Sequence, residues 1–254
     1  MKVQLLESSF ERSHKWHYAS CYLINGTVAI DAGPLGLWGS PQQQSAVRHI
    51  FLSHTHIDHI ATLPIFLENA WDPATEAVVL HGSSATLRGL RSHILNDIVW
   101  PDFVRIAPPE RPFLRLHELQ PEEVVEVESL RVLPVEVVHI VPTLGFIVTD
   151  GRSTVVFGAD SGPTQRIWEL ARKAPQPRSV FLEAAFPNSM SGLAERSGHM
   201  TPQMFGAEIL KMPKMQNVIA VHMKARFRET ILQELNTLGI AGLAIVEGGK
   251  TYEL

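Results

Sequence analysis

Apolar residues recur along this chain in short runs, and each run breaks off at a polar residue able to bind a metal or move a proton. The first, SCYLINGTVAIDAGP, carries an Asn25-Gly26 pair between two apolar stretches, which predicts a hairpin, and it closes on Asp31 and Gly33. VRHIFLSH ends at His54, LRVLPVEVVH at His139 and NVIAVH at His222. STVVFGAD, after a turn predicted at Asp150-Gly151, ends at Asp160, and SVFLEAAF carries Glu183 near its end. These runs are short and rich in β-branched and aromatic residues, so they read as strands.

Helical periodicity fills the intervals. TLPIFLENA reads as a helix with Thr62 as its N-cap and Pro64 tolerated in the first turn. SATLRGLRSHIL, TQRIWELARKA, TPQMFGAEILKM with Thr201 and Pro202 at its start, and RETILQELNTLG ending at Gly239 read the same way. Strands and helices alternate in the second half, whereas the first half has more strands in succession. That order favours a four-layer αββα sandwich of two mixed sheets over a simple doubly wound sheet.

Composition narrows this picture. With 254 residues and 45% hydrophobic content, the chain can bury a substantial core, and residues 1–254 are expected to form one domain. A net charge of −4, with no long run of charge, offers no broad attraction for a nucleic-acid polymer. The N-terminal stretch MKVQLLESSFERSHKW has no apolar signal-peptide core, and no apolar run reaches the length of a membrane span. A soluble, cytoplasmic protein without membrane contact is expected. Cys21 is the only cysteine, so a metal would have to be held by histidines and carboxylates.

The segment FLSHTHIDHIATLP offers such ligands at high density: His54, His56, Asp58 and His59 lie within six residues. A lone histidine at a strand end is usually structural, but a cluster of this kind is costly to desolvate without a cation. Two divalent ions about 3.5–4 Å apart need several imidazole and carboxylate ligands between them. His54 and His56 with His139 could hold one ion, Asp58 and His59 with His222 a second, and Asp160 could bridge the two. The same ligand set suits zinc and also accepts manganese or iron.

HTHIDH resembles the HxHxDH signature of the metallo-β-lactamase superfamily, and AIDAG, His139, Asp160 and His222 follow in that superfamily's order. The resemblance implies the αββα fold and a dinuclear hydrolase. DHIATLPIFLENA, SHILNDIVWPDF, HIVPTLGFIV, LEAAFPNSMSGLAERSGHMTP and HMKAR are further similar to class II cyclic-nucleotide phosphodiesterases. Ala61-Thr62 departs from the glycine common after the metal motif, and Ala225 from a frequent proline. This closer resemblance implies hydrolysis of 3′,5′-cyclic AMP or GMP to the 5′-monophosphate by a water that the two ions activate. Asp58 would orient or deprotonate that water. His199 resembles the proton-donating histidine of RNase Z, and Glu183 the carboxylate that pairs with it. The resemblance also implies a homodimer.

Asp31 reads as a support for the ligand loop, and Lys224 and Arg226 as possible phosphate contacts. Asn96 and Trp100 could meet a base, although a core tryptophan is as plausible. His14, His17, His49, His81, His93 and His117 read as surface or hydrogen-bonded structural residues. Three other functions compete: an RNase Z-like phosphodiesterase, which would need a basic surface; a glyoxalase II-like thioesterase or lactonase, which would not need His199; and a non-enzymatic binding module, against which the intact ligands argue.

Overall fold

The computed structural model describes residues 1–9, 16–72 and 74–254, and His14 lies outside them. Among the described residues, fourteen strands form two seven-stranded sheets. The first contains β1 (Lys2–Leu5), β2 (Tyr22–Ile24), β3 (Val28–Ile30), β4 (His49–Phe51), β5 (Val78–Gly82), β6 (Leu114–Glu118) and β14 (Thr251–Glu253), in the order β14-β1-β2-β3-β4-β5-β6. The second contains β7 (Val125–Val127), β8 (Leu130–Val137), β9 (Thr143–Thr149), β10 (Thr154–Phe157), β11 (Pro177–Glu183), β12 (Asn217–Val221) and β13 (Leu243–Ile245), in the order β13-β12-β11-β10-β9-β8-β7.

Both sheets change character at one strand. In the first, pairing is antiparallel as far as β2–β3 and parallel from β3–β4 onward. In the second, pairing is antiparallel as far as β9–β10 and parallel from β10–β11 onward. Asp31 follows β3 and Asp160 follows β10, so each aspartate leaves its sheet where the pairing changes.

Alternation along the strands builds three cores. Val28 and Ile30 of β3, with Val155 and Phe157 of β10, face the opposite sheet, whereas Ala29 and Val156 face outward. Between the sheets, the rings of Phe157 and Phe181 stack at 5.3 Å, and Tyr22 lies 5.1 Å from each. Burying each such ring contributes about 1.5–3 kcal/mol. Helices α1 (Pro41–Gln44), α2 (Ile57–Ile60), α3 (Leu63–Ala70) and α4 (Ser84–His93) lie in the first half of the chain. Residues of α2, α3 and α4 pack on the outer face of the first sheet. Of α5 (Arg166–Ala171), α6 (Ser191–Ser197), α7 (Pro202–Ile209) and α8 (Arg228–Asn236), helices α5, α7 and α8 cover the second. The result is the expected αββα sandwich. No helix among the described residues is long and apolar enough to cross a membrane.

Local signals were realised unevenly. Asn25 and Gly26 both have positive φ, and Thr27 N–H donates to Ile24 O at 3.1 Å, as the predicted hairpin requires. Thr201 caps α7 through Met204 N–H. Thr62 precedes α3 but does not cap it with its side chain; its hydroxyl accepts from Gly36 N–H at 2.7 Å. Ser40 caps α1 in a capping box with Gln43, which the hydrophobic pattern did not signal.

Gly33 stands where the chain crosses the single turn of α2. A Cβ there would lie 2.3 Å from Asp58 O and 2.8 Å from Ser20 N. Gly33→Ala is therefore expected to cost about 1–3 kcal/mol in urea unfolding and also to weaken zinc binding, because relief requires displacing the Asp58 backbone. Gly26→Ala has open space and only an unfavourable φ, so it should lower stability by about 1–2 kcal/mol and leave zinc binding unchanged. Equal zinc affinity in the two variants would refute this division.

Candidate metal centre

The C-terminal ends of β3, β4, β8, β10, β11 and β12 converge on one edge of the sandwich. His54 and His56 occupy the loop after β4; His56 is the N-cap of α2, and Asp58 and His59 lie within that single turn. His139 follows β8, Asp160 follows β10 and His222 follows β12. Asp31, Ala159 and His222 all have positive φ, a conformation that non-glycine residues adopt sparingly. This backbone cost falls at strand ends where the chain must turn sharply to aim a side chain at the edge.

All seven residues proposed from the sequence come together in two groups. In one, ligating atoms of His54, His56, His139 and Asp160 lie within 4.8 Å of one another; in the other, those of Asp58, His59, Asp160 and His222 do. Asp160 belongs to both. Its Oδ1 lies 3.3 Å from His59 Nε2, and its Oδ2 lies 3.2 Å from His222 Nε2 and 3.8 Å from His54 Nε2. Asp58 Oδ2 is 3.8 Å from His222 Nε2 and 4.0 Å from His59 Nε2.

Three observations fit these residues to divalent ions. His54 Nε2 and His59 Nε2 are buried without a hydrogen-bond partner, an expensive state unless a cation takes the lone pair. His56 Nδ1 and His139 Nε2 lie 3.3 Å apart, about the separation of two imidazole nitrogens on one tetrahedral ion with bonds near 2.0–2.1 Å. The donors are imidazole and carboxylate throughout, a set suited to zinc and similar ions.

Supporting contacts hold the rings in place. Asp31 Oδ2 accepts from His59 Nδ1 at 2.7 Å, and Asp31 also accepts from the backbone and hydroxyl of Ser53. Ser53 Oγ in turn lies 2.9 Å from His54 Nδ1. His139 Nδ1 donates to Gly198 O at 2.9 Å. The rings of His54, His59 and His139 are thus fixed through one nitrogen while the other faces the site. Gly198 has φ +64°, and a Cβ on it would lie 2.8 Å from His139 Cα, so only glycine fits beside this ring.

Electrostatics follow from burial against charge. Burial drives His54 and His222 well below the usual histidine range. Burial would raise Asp160, but the imidazoles of His222 and His59 outweigh it and hold the carboxyl well below its usual range.

Beside the two groups, Glu183 is fully buried at the end of β11 and accepts from His199 Nδ1 at 2.9 Å, from Ser161 N–H at 2.6 Å and from Met200 N–H at 3.4 Å. Burial would lower His199, but the hydrogen bond and charge of Glu183 outweigh it, and the imidazole is raised. The His199 ring lies 4.9 Å from that of His139 and 5.6 Å from that of His222.

Other candidates fall differently. The Asn96 amide is committed to its own turn, donating to Ser92 O and accepting from Ile98 and Val99 N–H. Trp100 packs on the outer core of the first sheet. His49, His81 and His117 form a hydrogen-bonded row across β4, β5 and β6, at 3.0 and 2.8 Å. His17 is half-buried, and its Nε2 is buried without a hydrogen-bond partner beside Asp58 and His222. Ser53, Gly198 and His17 join the site without having been singled out in the sequence. The Gly-His pair in SGHMTP was a visible signal for Gly198, whereas nothing local marks the other two.

Two ligand groups sharing one carboxylate on the edge of an αββα sandwich are the architecture of a metal-dependent hydrolase. The model of the β-lactamase superfamily domain matches residues 27–223, and the chain belongs to that superfamily. It is similar to a probable 3′,5′-cyclic-nucleotide phosphodiesterase of Yersinia pestis, 25% identical over 251 residues that span 85% of this chain and 71% of that protein. Among solved structures, unliganded yeast PDE1 matches with TM-score 0.79 at 17% identity, covering 98% of each chain. The metallo-β-lactamase-fold protein YhfI of Bacillus subtilis matches with TM-score 0.74 at 17% identity, covering 99% of this chain and 98% of that one. The short form of human tRNase Z matches with TM-score 0.66 at 17% identity, covering 100% and 99%. These structural likenesses concern the fold.

Metal analysis after zinc loading is expected to find two ions per chain. Asp160→Asn should weaken both sites together, whereas His139→Ala should first empty the one that includes His54 and His56. Equal loss of both ions in each variant would contradict the division into two groups.

Proposed function

We propose that this protein hydrolyses 3′,5′-cyclic nucleotides, cyclic AMP or cyclic GMP, to 5′-monophosphates at a site holding two divalent ions, zinc in the first instance with manganese or iron as alternatives. The observation that carries the reading is the buried Glu183–His199 pair beside the two ligand groups. A thioester expels a thiolate that needs no second, separately held acid in this position, whereas the 3′-alkoxide of a cyclic nucleotide is a poor leaving group until protonated. The similarity to the Yersinia pestis phosphodiesterase supports the same substrate class. Bound ions would supply Lewis-acid polarisation of the phosphoryl oxygens and a water acidic enough to react at neutral pH.

The chain's own groups divide the proton work. Asp58, partly exposed at the mouth of the site, is the carboxylate available to orient the attacking water and take its proton. His199 uses Nδ1 on Glu183 and keeps Nε2 for the departing 3′-oxygen. Glu183 fixes the ring and favours its charged form. Asp58 and His199 then act on opposite ends of one in-line displacement, as base and acid.

His199→Ala should reduce turnover of cyclic AMP by roughly 10²–10⁴, the span of general acid catalysis, with metal content unchanged. A phosphodiester with a p-nitrophenol leaving group needs no proton, so the same variant should keep most of its rate on that substrate. Glu183→Gln should show the same leaving-group dependence in milder form and add little in the double variant. Loss of an ion from His199→Ala would make the residue a ligand. A 3′-monophosphate product would put the acid on the wrong side of the phosphorus. Cleavage of precursor tRNA or of a thioester, with no turnover of cyclic nucleotides, would replace the substrate class.

A further inference from the structure

The reaction above leaves His17 without a task, although its position is unusual. Its Nε2 is buried and has no hydrogen-bond partner. The ring helps to line a cavity of about 80 Å³ whose other walls include Asp58, His222 and Lys224. That volume has room for a phosphoryl group but not for a nucleoside.

Lys224 faces the same space. Its Nζ lies 3.1 Å from His222 Nε2 and 3.9 Å from Asp58 Oδ2. An ion held by His222 takes the lone pair to which this ammonium donates, which frees that N–H for another acceptor. His17 Nε2, in the tautomer that carries its hydrogen there, lacks one already. The small cavity between them adjoins the second ligand group, where a phosphoryl oxygen of a bound substrate would lie. Two donors aimed at one such space call for an anionic oxygen.

We infer that His17 and Lys224 together receive a non-bridging phosphoryl oxygen of the substrate, His17 through its Nε2–H and Lys224 through its ammonium. This flank selects phosphate esters over uncharged esters and thioesters. The inference rests on the phosphodiesterase reading for its substrate, but its receptor can be measured separately. His17 enters here as a residue that binds the phosphoryl group; it is not a metal ligand and moves no proton.

The probe is inorganic phosphate, titrated calorimetrically into the zinc-loaded protein. His17→Ala should weaken phosphate binding roughly 10- to 100-fold, the value of a hydrogen bond to a charged group, with both ions retained. His17→Gln, which keeps an N–H donor, should recover part of the loss. Lys224→Met should weaken phosphate at least as much, and each variant should raise KM for cyclic AMP more than it lowers kcat. If His17→Ala fails to fold, as thermal melting would reveal, His17→Gln and Lys224→Met carry the comparison. Unchanged phosphate affinity in the His17 variants, loss of an ion from them, or no phosphate binding by the parent protein would each overturn the inference. If the parent turns over no cyclic nucleotide while the variants still lose phosphate, the receptor stands and only the substrate reading fails.

Discussion

The structure of this site depends on one buried carboxylate. Asp160 is almost fully withdrawn from water, yet His54, His59 and His222 all approach its two oxygens. An isolated carboxylate in such a place would be prohibitively costly, and it is tolerated only because cationic or cation-binding groups surround it. It stands just after β10, where the second sheet changes from antiparallel to parallel pairing. The positive φ at Ala159 turns the chain at that point. Every other candidate ligand is arranged with respect to this residue.

The two sheets contribute unequally and neither suffices alone. The first supplies the loop from His54 to His59, braced by Asp31 and Ser53. The second supplies His139, Asp160, Glu183 and His222, with His199 entering behind α6. The halves meet through the aromatic layer of Tyr22, Phe157 and Phe181, and through a backbone hydrogen bond from Leu144 N–H to Ser53 O. Ions bound by both halves would therefore couple metal affinity to sheet packing, because the ligands converge only in the folded chain. Gly198 illustrates how close the tolerance is: its carbonyl holds His139 while its missing Cβ leaves room for the same residue.

The surroundings of the two ligand groups differ in character. On one flank, Glu183 holds His199 in a buried pair through Nδ1. On the other, His17 and Lys224 face a small cavity with unsatisfied or displaceable donors. A reaction that needs a proton on the leaving group and a receptor for phosphoryl charge would use both flanks. This asymmetry is what distinguishes the site from a bare pair of ions.

The sequence by itself determined a good deal. Strand ends were legible because apolar alternation stops abruptly, and the Asn25-Gly26 turn and the helix beginning at Pro202 carry strong local chemistry. Density alone marked His54, His56, Asp58 and His59, since four such side chains are rarely gathered into six residues except around a cation. Their relation to His139, Asp160 and His222 followed from order along the chain, which a sandwich of parallel-ended strands translates into proximity. Only the tertiary structure decided the rest. His17 looks like any other histidine in the sequence, and its burial beside Asp58 arises from packing between segments some forty residues apart. Glu183 could have been a surface acid; its partners Ser161 and His199 stand in two different connections. Hydrophobic periodicity records which face of an element is buried, but carries no record of which polar groups from distant elements meet there, because that depends on register and approach between sheets.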